Sequence, residues 1–205
     1  MVGLDSSADM IRFALECFPA GHYANLSFVQ QDAAAIGLEG KFDVAFSSAA
    51  LHWVADHPAV LRGVRNSLRE GGSILFQMGG RGNAAELFGV LQSLLDSPRW
   101  SPFFAGFQAP YHFHGTEEYE RWLPQGGFRP RRIELIAKVM QHPGREGLKG
   151  WLRTTWFPYT DRLPAELREE FLEELVAAYL LVRPLDAAGN TQVRMVRLEV
   201  EAAVS

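Results

Sequence analysis

Lys41 to Asp56 reads KFDVAFSSAALHWVAD, and the reading of this stretch decides the fold. Phe42 to Phe46 is a short apolar run broken only by Asp43, and it empties into Ser47, Ser48 and two alanines before Leu51, His52 and Trp53. Such a run, closed by small polar residues, predicts a buried parallel strand ending in a loop. In open α/β sheets ligands sit in the crevice beyond the carboxyl ends of the strands, so a site is expected around Ser47 to Trp53.

The segments on either side repeat the theme. Upstream, Met1 to Asp5 is an apolar strand ending in an acid, and a helix follows at once, with Ser6 or Ser7 as N-cap and Met10, Ile11, Ala14, Leu15 and Phe18 as its apolar stripe. Leu26 to Gln30 is a second strand, with Asp32 just past its end. Acids at successive strand ends suit a nucleoside, the first accepting from two ribose hydroxyls and the second facing an adenine amino group. Asp5 as a simple cap of the following helix fits the local sequence equally well. Gly37 to Gly40 reads as a turn. Downstream, Pro58 to Arg69 has helical spacing, Glu70-Gly71-Gly72 closes that helix, and Ser73 to Met78 is the next strand. Gly79, Gly80 and Gly82 resemble a phosphate loop without its Lys-Ser/Thr ending and are read as a mobile strand-to-helix connection.

Alternation of strand and helix from Met1 to about Asp96 predicts an α/β chain with a Rossmann-like, doubly wound, mostly parallel sheet. Beyond it, helices are expected over Ala84 to Leu95, Thr116 to Leu123, Glu146 to Thr155 and Glu166 to Val182, and strands over Arg131 to Gln141 and Gln192 to Val204. The whole of 1–205 reads as one domain: 1–96 as the nucleoside-binding part, 97–130 and 145–185 as a helical and aromatic cap, and 131–141 and 192–204 as the last strands. Trp100, Phe103, Phe104, Phe107, Tyr111, Phe113, Trp151, Trp156, Phe157 and Tyr159 are expected to form a lid that keeps water from the crevice.

At 205 residues, 47% hydrophobic and with a formal net charge of −4, the chain suits a globular fold and lacks the basic excess of a nucleic-acid binder. Its one cysteine excludes an internal disulfide and multi-cysteine zinc patterns, so no metal is expected and a reducing, cytoplasmic compartment is the default. No apolar run reaches the ~18 residues of a membrane-spanning helix.

Val2 to Ile11, Asp32-Ala33, Phe42 to Ser47 with Ala50-Leu-His-Trp-Val54, and Leu68 through Gly71-Gly72 to Phe76 together resemble the successive motifs of class I S-adenosylmethionine-dependent methyltransferases. The LHWV-D run and the later GWLRTTWFPYTDRLP segment are similar to the trans-aconitate methyltransferase-like subgroup. The resemblance implies S-adenosylmethionine as cofactor, with Asp5 on the ribose, Ser6 and Met10 beside the adenine, Asp32 and the Ala33 amide on the adenine edge, and Ser47 behind the methionine moiety. Leu51, His52 and Trp53 would then face a small-molecule acceptor.

For a carboxylate acceptor no general base is needed, but a cation is. Arg153, among Trp151, Trp156 and Tyr159, is the candidate clamp, since guanidinium pairs bidentately with carboxylate. The other reading puts Arg153 on the outer face of a helix whose core those aromatics form. His52 is a candidate base for a hydroxyl or amine acceptor, or a structural hydrogen-bonder. The glycine-rich loop and first strand of the family would precede Val2, so the chain is expected to lack them. The sheet would then be left unprotected beside Val2 to Leu4 and Phe42 to Phe46, and a homodimer through that edge is expected. Two further readings stay open: an inactive methyltransferase fold serving as a binding or scaffold module, and a nicotinamide-dependent reductase.

Overall fold

The computed structural model describes residues 1–38 and 42–205, so the turn expected over Gly37 to Gly40 lies partly outside the described residues, as does Lys41. The chain forms two compact units. One comprises Met1–Met78, His114–Glu134 and Leu198–Ser205, and the other Gly79–Phe113 and Leu135–Arg197.

In the first unit, strand β1 (Val2–Asp5) leads into helix α1 (Ala8–Cys17), whose N-cap Ser7 accepts the Met10 amide at 3.3 Å. Strand β2 (Ser27–Gln30) returns parallel to β1, in a register that pairs Asp5 with Gln30. Strand β3 (Phe42–Ser48), a 3-10 turn at Leu51–Trp53 and helix α2 (His57–Ser67) follow, and strand β4 (Leu68–Gly79) runs parallel to β3. This parallel βαβ succession is the Rossmann-like α/β fold expected from the alternation. Helix α4 (Thr116–Gln125) also belongs to this unit, with 128–134 of strand β5 (Phe128–Pro143) and 198–204 of strand β6 (Asn190–Val204). The strand order is β3-β4-β6-β5, and β1-β2 forms a separate two-stranded sheet.

The core of this unit is Val60, Leu61 and Val64 of α2, Ile74, Phe76 and Met78 of β4, Tyr119 and Leu123 of α4, Phe128, and Leu198, Val200 and Ala202 of β6. Helix α2 packs closely on the segment after β2, because Gly63 presents no side chain: a Cβ there would stand 2.8 Å from the Ile36 Cβ. One expectation is corrected. Helix α2 stops at Ser67, and Leu68 is already extended, its buried side chain joining the core opposite Phe42. The glycines close no helix. Between the Phe42–Leu68 and Val44–Ser73 pairs β4 carries an outward loop, and Gly71 turns it at φ +76°, which a side chain would strain.

The edges behave unlike the interior. Within the described residues β3 pairs only with β4, and its Val44 and Phe46 are 56% and 62% exposed. No residue of α1 is buried, so Met10, Phe13, Leu15 and Phe18 lie in the open.

The second unit is built from helices. Helix α3 (Ala85–Leu95), α5 (Gly144–Thr155), α6 (Phe157–Thr160) and α7 (Ala165–Val182) enclose Leu87, Leu91, Trp100, Phe104, Leu148, Leu152, Trp156, Tyr159, Phe171 and Leu175. Charged side chains tie the helices together: Arg183 of the α7 C-terminus donates to both Glu86 oxygens of α3 at 2.7 and 2.8 Å, and Lys149 of α5 reaches Glu169 and Glu173 of α7 at 3.1 Å. The glycine-rich connection after β4 is also tied, with Gly80 N–H donating to Val196 O and Val196 N–H donating to Asn83 Oδ1, which corrects its reading as a mobile link.

Core and edge should respond differently to truncation. Leu61→Ala is expected to cost about 2–5 kcal/mol, the range for a buried leucine, and Phe46→Thr to stay within about 0.5 kcal/mol. Urea-unfolding midpoints of the two variants check this; equal losses would place Phe46 in the core.

Candidate functional site

The carboxyl ends of β1 and β2 carry the first candidate residues. The Asp5 carboxylate accepts the Ser7 amide at 2.8 Å, and Asp32, N-cap of a 3-10 turn at Ala33–Ala35, accepts the Ala34 amide at 2.8 Å. Both acids therefore hold their own loops, yet each remains exposed and has a second oxygen to offer. The parallel register brings them together: Asp5 stands opposite Gln30, two residues before Asp32, and Gln31 N–H donates to Asp5 O at 2.9 Å. Ser6 and Met10 are exposed beside Asp5, Met10 on the first turn of α1. Two solvent-facing carboxylates at adjacent parallel strand ends fit the hydroxyls and amino group of a nucleoside.

At the end of β3 the loop is drawn tight. Ser48 Oγ accepts from Gln77 Nε2 at 2.8 Å, and Ala49 N–H donates to Gln77 O at 2.9 Å, so β4 holds the loop after the last ladder pair. Ala49 sits at φ +55°, a left-handed conformation costly for a residue with a Cβ and seen mostly where the surroundings impose it. Ser47 is half-buried just before this corner. The next turn anchors Leu51 in the core and presents His52 and Trp53, whose rings lie 5.8 Å apart. Trp53 is 38% exposed, and partial burial lowers the His52 pKa, favouring the neutral imidazole.

A residue passed over in the sequence proves central to this turn. His57, wholly buried, places Nε2 3.0 Å from Leu51 O and Nδ1 2.6 Å from the Tyr119 hydroxyl. His114 lies edge-on to its ring at 4.4 Å and Trp122 at 5.8 Å. The local signal was Asp56-His57-Pro58, a capped helix start with proline in the first turn, and Asp56 does cap Ala59 N–H at 2.8 Å. Nothing local points to Tyr119, 62 positions away.

Trp151, Arg153, Trp156 and Tyr159 belong to the second unit. Trp156 and Tyr159 are buried, Trp156 stacked on Phe88 at 4.8 Å, and Trp151 leans on the buried His142 at 5.2 Å. Of the aromatics read as a lid, Trp100, Phe104, Trp156 and Tyr159 are buried in the core of this unit, whereas Phe157 is exposed. Burial pushes the Tyr159 hydroxyl up to about 12. Arg153 is half-exposed on α5, and its guanidinium donates to both oxygens of Glu169 on α7 at 2.9 Å. Among the described residues no cluster of three or more His, Cys, Asp or Glu is arranged to hold a metal ion, and no helix is long and apolar enough to cross a membrane.

Comparison with known proteins converges on one family. A family profile described as "Methyltransferase domain" matches residues 1–76. The chain is similar to a juvenile hormone acid O-methyltransferase of Drosophila melanogaster, 28% identical over 86% of this chain and 61% of that one. It is also 32% identical to a trans-aconitate 2-methyltransferase of Deinococcus radiodurans, over 84% of this chain and 66% of the relative. It thus spans less than two thirds of either. Among solved structures, a loganic acid methyltransferase with SAH superposes with a TM-score of 0.72 over all of this chain and 73% of its own, at 12% identity, a likeness of fold.

Two histidines shielded from solvent to different degrees carry a pH dependence. Burial lowers the pKa of His52 and His142 below the ordinary 6.5, so the unfolded chain takes up protons at a higher pH than the folded one. Stability should be full above about pH 6.5 and decline as pH falls below it. Replacing His52 and His142 by glutamine is expected to flatten that decline between about pH 7 and 5, read from urea midpoints across the range.

Proposed function

We propose that the chain is a class I S-adenosylmethionine-dependent methyltransferase and that it methylates a carboxylate of a small molecule. The observation that carries the reading is the pair Asp5 and Asp32 at the ends of adjacent parallel strands, with the strained Ser47 to Ala49 corner ending β3. Asp5 would hold the ribose, with Ser6 and Met10 beside the adenine; Asp32 and the Ala33 amide would take the adenine edge; Ser47 would back the methionine moiety. When bound, the cofactor supplies a methyl group on a sulfonium, whose C–S bond breaks as a C–O bond forms to the acceptor. The chain's own residues bind, orient and exclude water.

Relatives named for juvenile hormone acid and trans-aconitate support an acid as acceptor. A carboxylate is ionised near neutral pH and asks for a counter-charge and no base. Arg153 would provide it by exchanging the Glu169 carboxylate for that of the substrate, a replacement of like for like at the guanidinium, while Trp156 and Tyr159 stay buried in the core of the same unit. Leu51, His52 and Trp53 would face the acceptor, with His52 as base if the acceptor is a hydroxyl or amine.

A second reading, a binding module without turnover, draws on the β3 edge, which among the described residues pairs with β4 alone, and on exposed Val44 and Phe46. Two copies pairing through β3 would cover both. Sedimentation and light scattering are expected to show a dimer that Phe46→Lys returns to monomer; a monomer throughout removes the edge as an interface.

Calorimetric titration with S-adenosylhomocysteine tests the cofactor site, where Asp5→Ala is expected to weaken affinity by about 1.5–3 kcal/mol. Unchanged affinity would leave Asp5 as a loop cap alone. Tritium transfer to small acids, amines and phenols tests the acceptor: transfer to acids that falls with Arg153→Met is expected. Preference for an amine or phenol, lost with His52→Ala and kept with Arg153→Met, would move the central role to His52.

A further inference from the structure

The buried contact between α2 and α4 fixes proton positions. Leu51 O can only accept, so His57 Nε2 carries a hydrogen and donates to it at 3.0 Å. In the neutral imidazole Nδ1 is then an acceptor, and the Tyr119 hydroxyl, at 2.6 Å from it and 3.6 Å from the weaker acceptor Met78 Sδ, donates to the imidazole. Burial raises the Tyr119 pKa, so the phenol keeps the proton it donates. The Leu51 carbonyl is also the acceptor for Val54 N–H at 2.9 Å, which closes the turn carrying His52 and Trp53. A path of hydrogen bonds therefore runs from α4 through an imidazole of defined tautomer to the backbone of the turn.

We propose that His57 and Tyr119 are positioning residues that set the pose of His52 and Trp53 toward the methyl acceptor, an inference that rests on the methyltransferase reading. Of the two, His52 is half-buried and reaches solvent, and the wholly buried His57, five residues on, is its fixed support. Because the path ends on the turn and not at Asp5 or Asp32, its loss should alter acceptor handling and leave nucleoside binding intact.

The test compares Tyr119→Phe, which removes one hydroxyl, with Tyr179→Phe, which removes a similarly buried hydroxyl bonded to Gln192 O at 2.8 Å in the second unit. His57→Gln, whose amide can still donate to Leu51 O, is set against His57→Leu. NMR follows the Trp53 indole resonance, assigned with Trp53→Phe, and amide exchange at Trp53 and Val54. Tyr119→Phe is expected to shift the indole and speed that exchange by about tenfold, to leave S-adenosylhomocysteine affinity within about twofold, and to raise the acceptor KM more than it lowers kcat. His57→Gln should stay nearer the parent protein than His57→Leu, and Tyr179→Phe should leave the turn unchanged. If Tyr119→Phe and Tyr179→Phe lower thermal stability alike and neither changes Trp53 or Val54, the positioning role is overturned. Absence of transfer to every acceptor by the parent protein would sink the methyltransferase reading instead, and the NMR readouts would still decide the pose of the turn.

Discussion

The parallel ladder between β3 and β4 is the constraint on which the first unit depends. A parallel pair cannot be closed by a tight turn, so the chain between Ser48 and Leu68 must cross back as a helix, and α2 does this with one face in the core. The ladder also decides where the loop after β3 can go. Gln77, the partner of Ser48 in the last pair, holds the Ser48 hydroxyl by its side chain and the next residue, Ala49, by its carbonyl. With its backbone held there, Ala49 adopts the left-handed corner that sends the chain down into the Leu51 turn. The loop after β3 is therefore built by the sheet, and the unfavourable geometry at Ala49 is sustained by the ladder beside it.

The same sheet explains the exposed apolar surface. A strand paired on one side only leaves backbone groups and alternate side chains to solvent, and among the described residues Val44 and Phe46 of β3 are in that position. Helix α1 has a good N-cap and an apolar stripe but buries no residue fully, with Ile11 and Ala14 half-buried and the rest of the stripe exposed. In the second unit cohesion has another source: an aromatic core around Trp100, Trp156 and Phe171, enclosed by ion pairs linking α5 to α7 and α3 to the end of α7. The exposed members of those pairs add little singly, since solvent screens them, but they fix helix register.

Capping and ligand binding are compatible at Asp5 and Asp32. A carboxylate offers about four lone-pair sites, and one amide from its own loop uses one of them while holding the group in place. The alternatives left open by the sequence, cap or nucleoside acid, are then two uses of one side chain, the first fixing the geometry that the second would need.

Local pattern determined much of this protein. The apolar run of β3, the Ser7 cap, the helix of 165–182 and the alternation of the last strand were legible because each is set by neighbours a few residues away. The parallel order followed from strands and helices alternating, and the two acids stood out because they sit at strand ends. What tertiary structure decided were the partners. Helix α2 ends at Ser67 because Leu68 is needed in the core opposite Phe42, a demand from another strand that outweighs the glycine signal. Arg153 meets Glu169, 16 positions on, and the aromatics meant as a lid pack against one another. His52 and His57 look alike in sequence, and only the packing of α4, which brings in Tyr119, makes His57 a buried support while His52 stays half-buried. Periodicity reports which side of an element is buried; the atom it meets there is fixed only when the chain closes on itself.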